Sequence, residues 1–257
     1  MSDSVSAVRQ AIGPIGAFLP YPTSAAPDIG DQIAAVRRLE RVGYGAVWVN
    51  EVPGKDALVQ LSILLASTDH IVLGAGVVNV WSRSPHTTHG AATLLAQAFP
   101  DRFVLGIGSG HPGQAETVGQ QFGQPLATMR DYLGKMTGIT AGSATATPYP
   151  RLIGANGPKM LKLAAELANG AIPALVDPSV TAQARRTIGQ DKLLVVLING
   201  DEAVGDPAAV AAAAAAHWTS GADHVVALLP MGTELTAGVN RLERLAPPLH
   251  EISISAR

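Results

Sequence analysis

Eight short runs rich in Val, Ile or Leu alternate with longer helical runs from one end of this 257-residue chain to the other. No other feature restricts the fold so much, because strands that alternate with helices pair in parallel through helical crossovers. The strand candidates are Ile15–Leu19, Ala46–Asn50, Ile71–Val78, Phe103–Ile107, Arg151–Ala155, Ala171–Leu175, Leu193–Asn199 and His224–Leu229. Helices are expected to begin near Ile29, Asp56, Thr87, Thr128, Pro158, Pro178, Pro207 and Glu234, several of them at Pro, Thr or an acidic residue suited to a first turn. Regular alternation at this length fits an α/β fold of the (β/α)8 TIM-barrel type, a single domain over residues 1–257.

Composition narrows the function. Apolar residues make up 47% of the chain and charged residues 15%, enough to bury a sizeable core. A net charge of -2 without like-charge runs leaves no footprint for nucleic acid or an anionic membrane. Cysteine is absent, which removes disulfides, thiolate metal sites and thiol catalysis. The first residues lack the pattern of a secretory leader, and no stretch is long and apolar enough for a membrane span, so a cytoplasmic protein is expected. The Ala-rich run Ala208–Trp218 reads as an outer helix, and the small-residue stretch Thr140–Pro150 as a surface loop.

In a barrel the segments after the strands share one rim, and chemistry is sought there. After the second strand stand Asn50 and Glu51, followed by the turn Val-Pro-Gly-Lys-Asp-Ala; after the third, Asn79, Trp81 and Arg83; after the fourth, Ser109 and His111. The fourth strand ends in Gly106, Gly108 and Gly110 around Ser109, either a bare turn or a place where a flat ring approaches the backbone. A second glycine turn, Gly154, Ala155, Asn156 and Gly157 before Pro158, suits a phosphate at a helix start, where free N–H groups and the dipole favour an anion; an ordinary tight turn has the same pattern. Lys159 could add charge there. As a histidine, His111 is a residue type suited to acid–base work, and it is equally readable as polar surface. Glu51 and Asp56 could form an acidic pair, although helix capping is the simpler role for Asp56. His86 and His89 lack the partners that a metal needs, and none is expected. Neither a serine-hydrolase elbow nor a Walker loop occurs.

With these residues placed, the chain resembles the luciferase-like oxidoreductases, the bacterial luciferase-like barrels that use flavin or the deazaflavin coenzyme F420. The resemblance rests on Gly43–Glu51, Ile71–Leu94, Arg102–Gly110 and Leu152–Ile172 in the family's order. It implies a ring in the barrel mouth against Val78, Asn79, Gly108, Ser109 and Gly110, with phosphate at Gly154, Ala155, Asn156, Gly157 and Pro158, helped by Asn169 and Gly170. It also implies a bulge with a non-proline cis peptide near Val78 and Asn79. Many members carry a His where this chain has Val52; His111 stands where several deazaflavin dehydrogenases carry a glutamate; and the usual Asp-Gly is here Asn169-Gly170. The insertions after the fourth and seventh strands are short for the family.

The expectation is a coenzyme F420-dependent oxidoreductase that moves a hydride between the deazaflavin and a small organic substrate, with Glu51, Asn79 and His111 at the reacting end and Trp81 packed nearby. An FMN-dependent monooxygenase and a non-catalytic cofactor-binding barrel are the alternatives. The resemblance also suggests a homodimer formed through barrel helices.

Overall fold

A strand buried on both faces needs a helix over one side and packed side chains on the other, and these runs meet both conditions. The computed structural model describes residues 2–22, 26–52, 54–137, 147–201 and 206–255. Its order is α1 (Ser2–Ile12), β1 (Ile15–Phe18), α2 (Ile29–Arg41), β2 (Ala46–Val49), α3 (Ala57–Ala66), β3 (Val72–Ala75), β4 (Val78–Asn79), α4 (Pro85–Ala98), β5 (Phe103–Gly108), α5 (Pro112–Thr117), α6 (Pro125–Thr137), β6 (Arg151–Gly154), α7 (Pro158–Leu167), β7 (Gly170–Ile172), α8 (Pro178–Ile188), β8 (Leu193–Asn199), α9 (Pro207–Thr219), β9 (His224–Leu228) and α10 (Leu235–Ser255). The stretch expected as a loop from Thr140 lies outside the described residues as far as position 146.

β1 pairs with β2 and β9, the sheet continues through β8, β7, β6 and β5, and β3 joins β2 to β5, so the sheet closes with every pairing parallel. Counting β3 and β4 as one interrupted strand, this is the expected eight-stranded barrel. The interruption has a register cause. Gly74 lies opposite Val104 and Val78 opposite Ile107, four steps against three, so one extra residue bulges out between them. The non-proline cis peptide expected near Val78 and Asn79 falls in this bulge, at Gly76–Val77.

The barrel interior is filled by Phe18, Trp48, Val72, Val104, Leu152 and Leu193 among others, and α1 adds Val5, Val8 and Ile12 to the same cluster. That helix, which periodicity alone did not single out, packs into the barrel's interior cluster just before β1. Within the cluster, Trp48 Nε1 donates to His224 Nε2 at 3.1 Å, and His224 Nδ1 lies 2.9 Å from the Gly13 carbonyl. A carbonyl only accepts, so the Nδ1 proton is the one this network requires.

Helix starts follow capping chemistry. Asp28 accepts from Gly30 N, Asp56 from Leu58 N and Val59 N, Ser84 from Thr87 N, and Asp206 from Ala209 N. α4 and α6 begin at Pro85 and Pro125, a few residues before the threonines expected to start them, because proline suits the first turn. No described helix is long and apolar enough to cross a membrane.

Candidate functional site

Parallel strands bring all their C-terminal ends to one rim, and Asn50, Glu51, Asn79, Gly108 and Gly110 meet there. With Gly76, Val77 and Gln114 they line a cavity of about 130 Å3. Glu51 is buried, and both of its oxygens are engaged: Oε2 accepts from Asn79 N at 2.9 Å and Oε1 from Arg83 Nε at 2.7 Å. Arg83 also reaches Asp56 Oδ1 at 2.5 Å, so Asp56 is both a helix cap and an ion-pair partner. Burial disfavours the Arg83 cation, but Glu51 and then Asp56 outweigh it and hold its pKa up. Glu51 therefore anchors the bulge: its backbone N–H donates to Val77 O and its carboxylate pins Asn79. The Asn79 side chain in turn accepts from Trp81 N at 3.0 Å, and Trp81 Nε1 donates to Ser109 O at 2.8 Å. Trp81 also packs on Phe122, with ring centroids 5.5 Å apart.

The bulge turns Val77 toward the mouth and Val78 away from it. Val78 lies fully buried in the layer beneath the outer helices, and Val77 rather than Val78 lines the mouth cavity. The glycines of β5 answer to the same valine. A methyl on Gly108 would collide with Val77, and one on Gly106 with the Ala75 carbonyl and Ile172. Gly110 adopts φ +58 beside Gln114 and Asn79, the left-handed region that favours glycine. His111 is exposed at the start of α5 and lies outside the cavity lining; its backbone N–H donates to Gln114 Oε1 at 3.2 Å.

The second glycine turn touches the mouth through Gly154, where a methyl would stand 3.6 Å from Val77 and 3.9 Å from the Gly108 Cα. Ala155 N–H donates to Ile172 O. Asn156 clamps the loop after β7, donating to Ala174 O at 3.0 Å and accepting from Ala174 N at 2.9 Å. Gly157 is the N-cap of α7 and supplies no side-chain cap; a methyl there would meet nothing within 4 Å. The starts of α6 and α7 border a cavity of about 670 Å3, lined by Gln124, Pro125, Gly157, Pro158 and Lys159 among others. Asn169 and Gly170 do not join this turn. The register sets Gly170 opposite Leu152, and Asn169 Oδ1 accepts from Arg151 N, which places both at the opposite end of the barrel from Gly154. There Asn169 splices β6 to β7, and Gly170 lies too close to the Leu193 carbonyl for a side chain.

Four residues were not singled out by the sequence reading: Gly76, Val77 and Gln114 in the mouth lining, and Lys55 beside it. Gly76 and Val77 sat inside an apparently continuous strand. Lys55 sat in the turn after Glu51, and its chemistry becomes visible only in three dimensions. A larger cavity of about 520 Å3 between β8 and α9 contains none of the expected site residues. Among the described residues no group of three His, Asp or Glu is placed to hold a metal.

Comparison with known proteins agrees with this fold. The 5,10-methylenetetrahydromethanopterin reductase of Methanolobus tindarius is 28% identical over 151 residues, 52% of this chain and 46% of that one. Its counterpart from Archaeoglobus fulgidus is 32% identical over 155 residues, 53% and 47% of the two chains. The chain thus spans about half the length of the curated relatives it matches. Among solved structures, the coenzyme F420-dependent tetrahydromethanopterin reductase of Methanopyrus kandleri superposes with a TM-score of 0.71 at 15% identity, covering 94% of this chain and 99% of that one. The FMN-bound oxygenating constituent of 3,6-diketocamphane monooxygenase from Pseudomonas putida gives 0.72 at 11% identity, covering 93% and 98%. At these identities the likeness is one of fold. The model of the luciferase-like monooxygenase family matches residues 14–246, which include every strand of the closed sheet, and the chain belongs to that family.

Proposed function

We propose that this barrel binds a deazaflavin of the F420 type and moves a hydride between it and a small organic substrate. The observation that carries the reading is the uncapped α7 start at Gly157, open to a cavity and joined through Gly154 and Val77 to the glycine-lined mouth. α2, α3, α4 and α9 use an Asp or Ser side-chain oxygen at this point, whereas the α7 start, like that of α8, has no side-chain cap, and its first-turn N–H groups at Lys159 and Met160 lack an intrahelical partner. A phosphate fits that chemistry, with Lys159 beside it, and Asn156 holds the turn in place. A relative from Mycobacterium tuberculosis whose name carries coenzyme F420, 29% identical over 175 residues (56% of this chain, 50% of that one), supports the choice of cofactor.

When bound, the deazaflavin supplies the hydride chemistry; the chain's own residues supply position and polarity. Val77 and the backbone at Gly108–Gly110 would lie against the ring. Glu51 and Arg83 hold the bulge that sets Val77 and Asn79, and Trp81 fixes the Ser109 carbonyl at the rim. His111, at the entrance, could exchange a proton with substrate. The same cradle would accept FMN, as in the monooxygenase reading.

Absorbance titration with F420 and with FMN tests the reading: tight F420 binding with weak FMN binding is expected, and the reverse order would replace it by the monooxygenase. Tight binding without turnover over carbonyls, imines and enones would leave the non-catalytic barrel. Changing His111 to Ala should lower kcat about tenfold or more if it is the proton donor; an unchanged rate removes that role. Exposed Val59 and Ile63, one turn apart on α3, support the homodimer reading, which sedimentation would decide.

A further inference from the structure

Val52 and Lys55 form an isolated antiparallel bridge, with Lys55 N–H donating to Val52 O at 3.0 Å. This tight turn folds Lys55 back over the end of β2. Its Nζ donates to Asn50 Oδ1 at 3.1 Å and sits 4.5 Å from the Tyr21 ring centroid. Asn50 itself lines the mouth cavity with Glu51, Val77 and Gly108. Lys55 therefore bridges the segments after β1 and β2 at the reacting end of the barrel, half-buried, and among the described residues no carboxylate forms an ion pair with it. Structural lysines are usually paired or fully solvated. This one is neither.

We propose that Lys55 is the proton-exchanging residue of the mouth, a role that rests on the hydride-transfer reading above. In the reducing direction, a carbonyl, imine or activated alkene takes a hydride at carbon from the reduced deazaflavin. Lys55 Nζ–H gives a proton to the heteroatom, or to the carbon alpha to the activating group. The substrate gains two electrons and two hydrogens, the cofactor is left oxidised, and the neutral amine regains its proton from solvent. The reverse reaction uses the neutral amine as base.

The electrostatic surroundings suit this role. Burial disfavours the ammonium and brings the Lys55 pKa down to about 8, although Glu51 opposes the shift. Tyr21, from the segment after β1, and Glu51, from the end of β2, are the titratable groups set against Lys55. The Glu51 carboxylate is already held by Arg83, so it stabilises the ammonium less than a free one would. A proton donor poised near the working pH transfers better than an ordinary lysine.

The test uses the full chain and its Lys55→Met and Lys55→Arg variants. Without cofactor, amine acetylation read by mass spectrometry across pH should reach half its limit at Lys55 near pH 8, against about 10.4 for an ordinary lysine; a midpoint above 10 overturns the proposal. With F420 bound, kcat of the parent in the reducing direction should fall as pH rises through about 8, and rise through it in reverse. Lys55→Met should lower kcat about 100-fold and abolish that limb. F420 affinity should stay within about threefold, and Lys55→Arg should bind normally while also lacking the limb. Should Lys55→Met bind F420 and keep both its rate and its pH profile, or should His111→Ala alone abolish the limb, Lys55 is not the donor. Failure of the parent to bind F420 would instead remove the hydride-transfer reading, a result separate from either outcome for Lys55.

Discussion

Two glycine-rich stretches flank the mouth, and they use glycine for opposite reasons. In β5, Gly106 and Gly108 face the chain's own atoms: the Ala75 carbonyl, Ile172 and Val77 occupy the space where their side chains would be. At the start of α7, Gly157 faces nothing. The first pair is spent on closing a bulged strand against its neighbour, and the second position leaves room for something outside the chain. Glycine near a rim is thus evidence for a ligand only after the protein's own contacts have been subtracted.

Substitutions that add one methyl should separate the two regions most sharply. Gly106→Ala forces a methyl against a backbone carbonyl that cannot rotate away, and should cost about 3 kcal/mol, seen as a lower urea midpoint. A variant as stable as the parent would break the contrast. At the other region a charge is the more telling probe. Gly157→Asp, at φ -102 and in open space, should fold normally yet weaken F420 binding about tenfold, about 1.4 kcal/mol, because its carboxylate competes for the N–H groups of α7. Unchanged affinity by absorbance titration would remove phosphate from that turn. Asn156→Ala deletes two hydrogen bonds to Ala174 and should lower stability by about 1 kcal/mol in thermal melts while loosening the turn. The smallest effect is expected of Gly157→Ala, which should shift thermal stability by about 0.5 kcal/mol or less, since the lower entropy of the unfolded chain offsets alanine's poorer fit at an N-cap.

The eight strand candidates were legible because a strand covered on both faces is apolar at every position, and that pattern needs no tertiary context. The bulge at Gly76 and Val77 was not, since one extra residue leaves the apolar run intact and shows only in the register against β5. α1 escaped notice for a related reason: Val5, Val8 and Ile12 find a partner only once the barrel interior exists to receive them. Asn169 and Gly170 resembled a phosphate contact, but the short β7 carries them to the far end. Lys55 looked like any surface lysine until the turn from Val52 set it against Asn50 and Tyr21.

Local composition was enough to specify how many strands close the barrel, roughly where the eight outer helices between and after them begin, and that Gly157 opens one without a side-chain cap, because propensity, capping and burial act over a few residues. Which side chains share the mouth depended on barrel closure. It brings segments well separated in the sequence into one rim, and a one-residue shift in register exchanges a valine that faces the mouth for one that faces the outer helices.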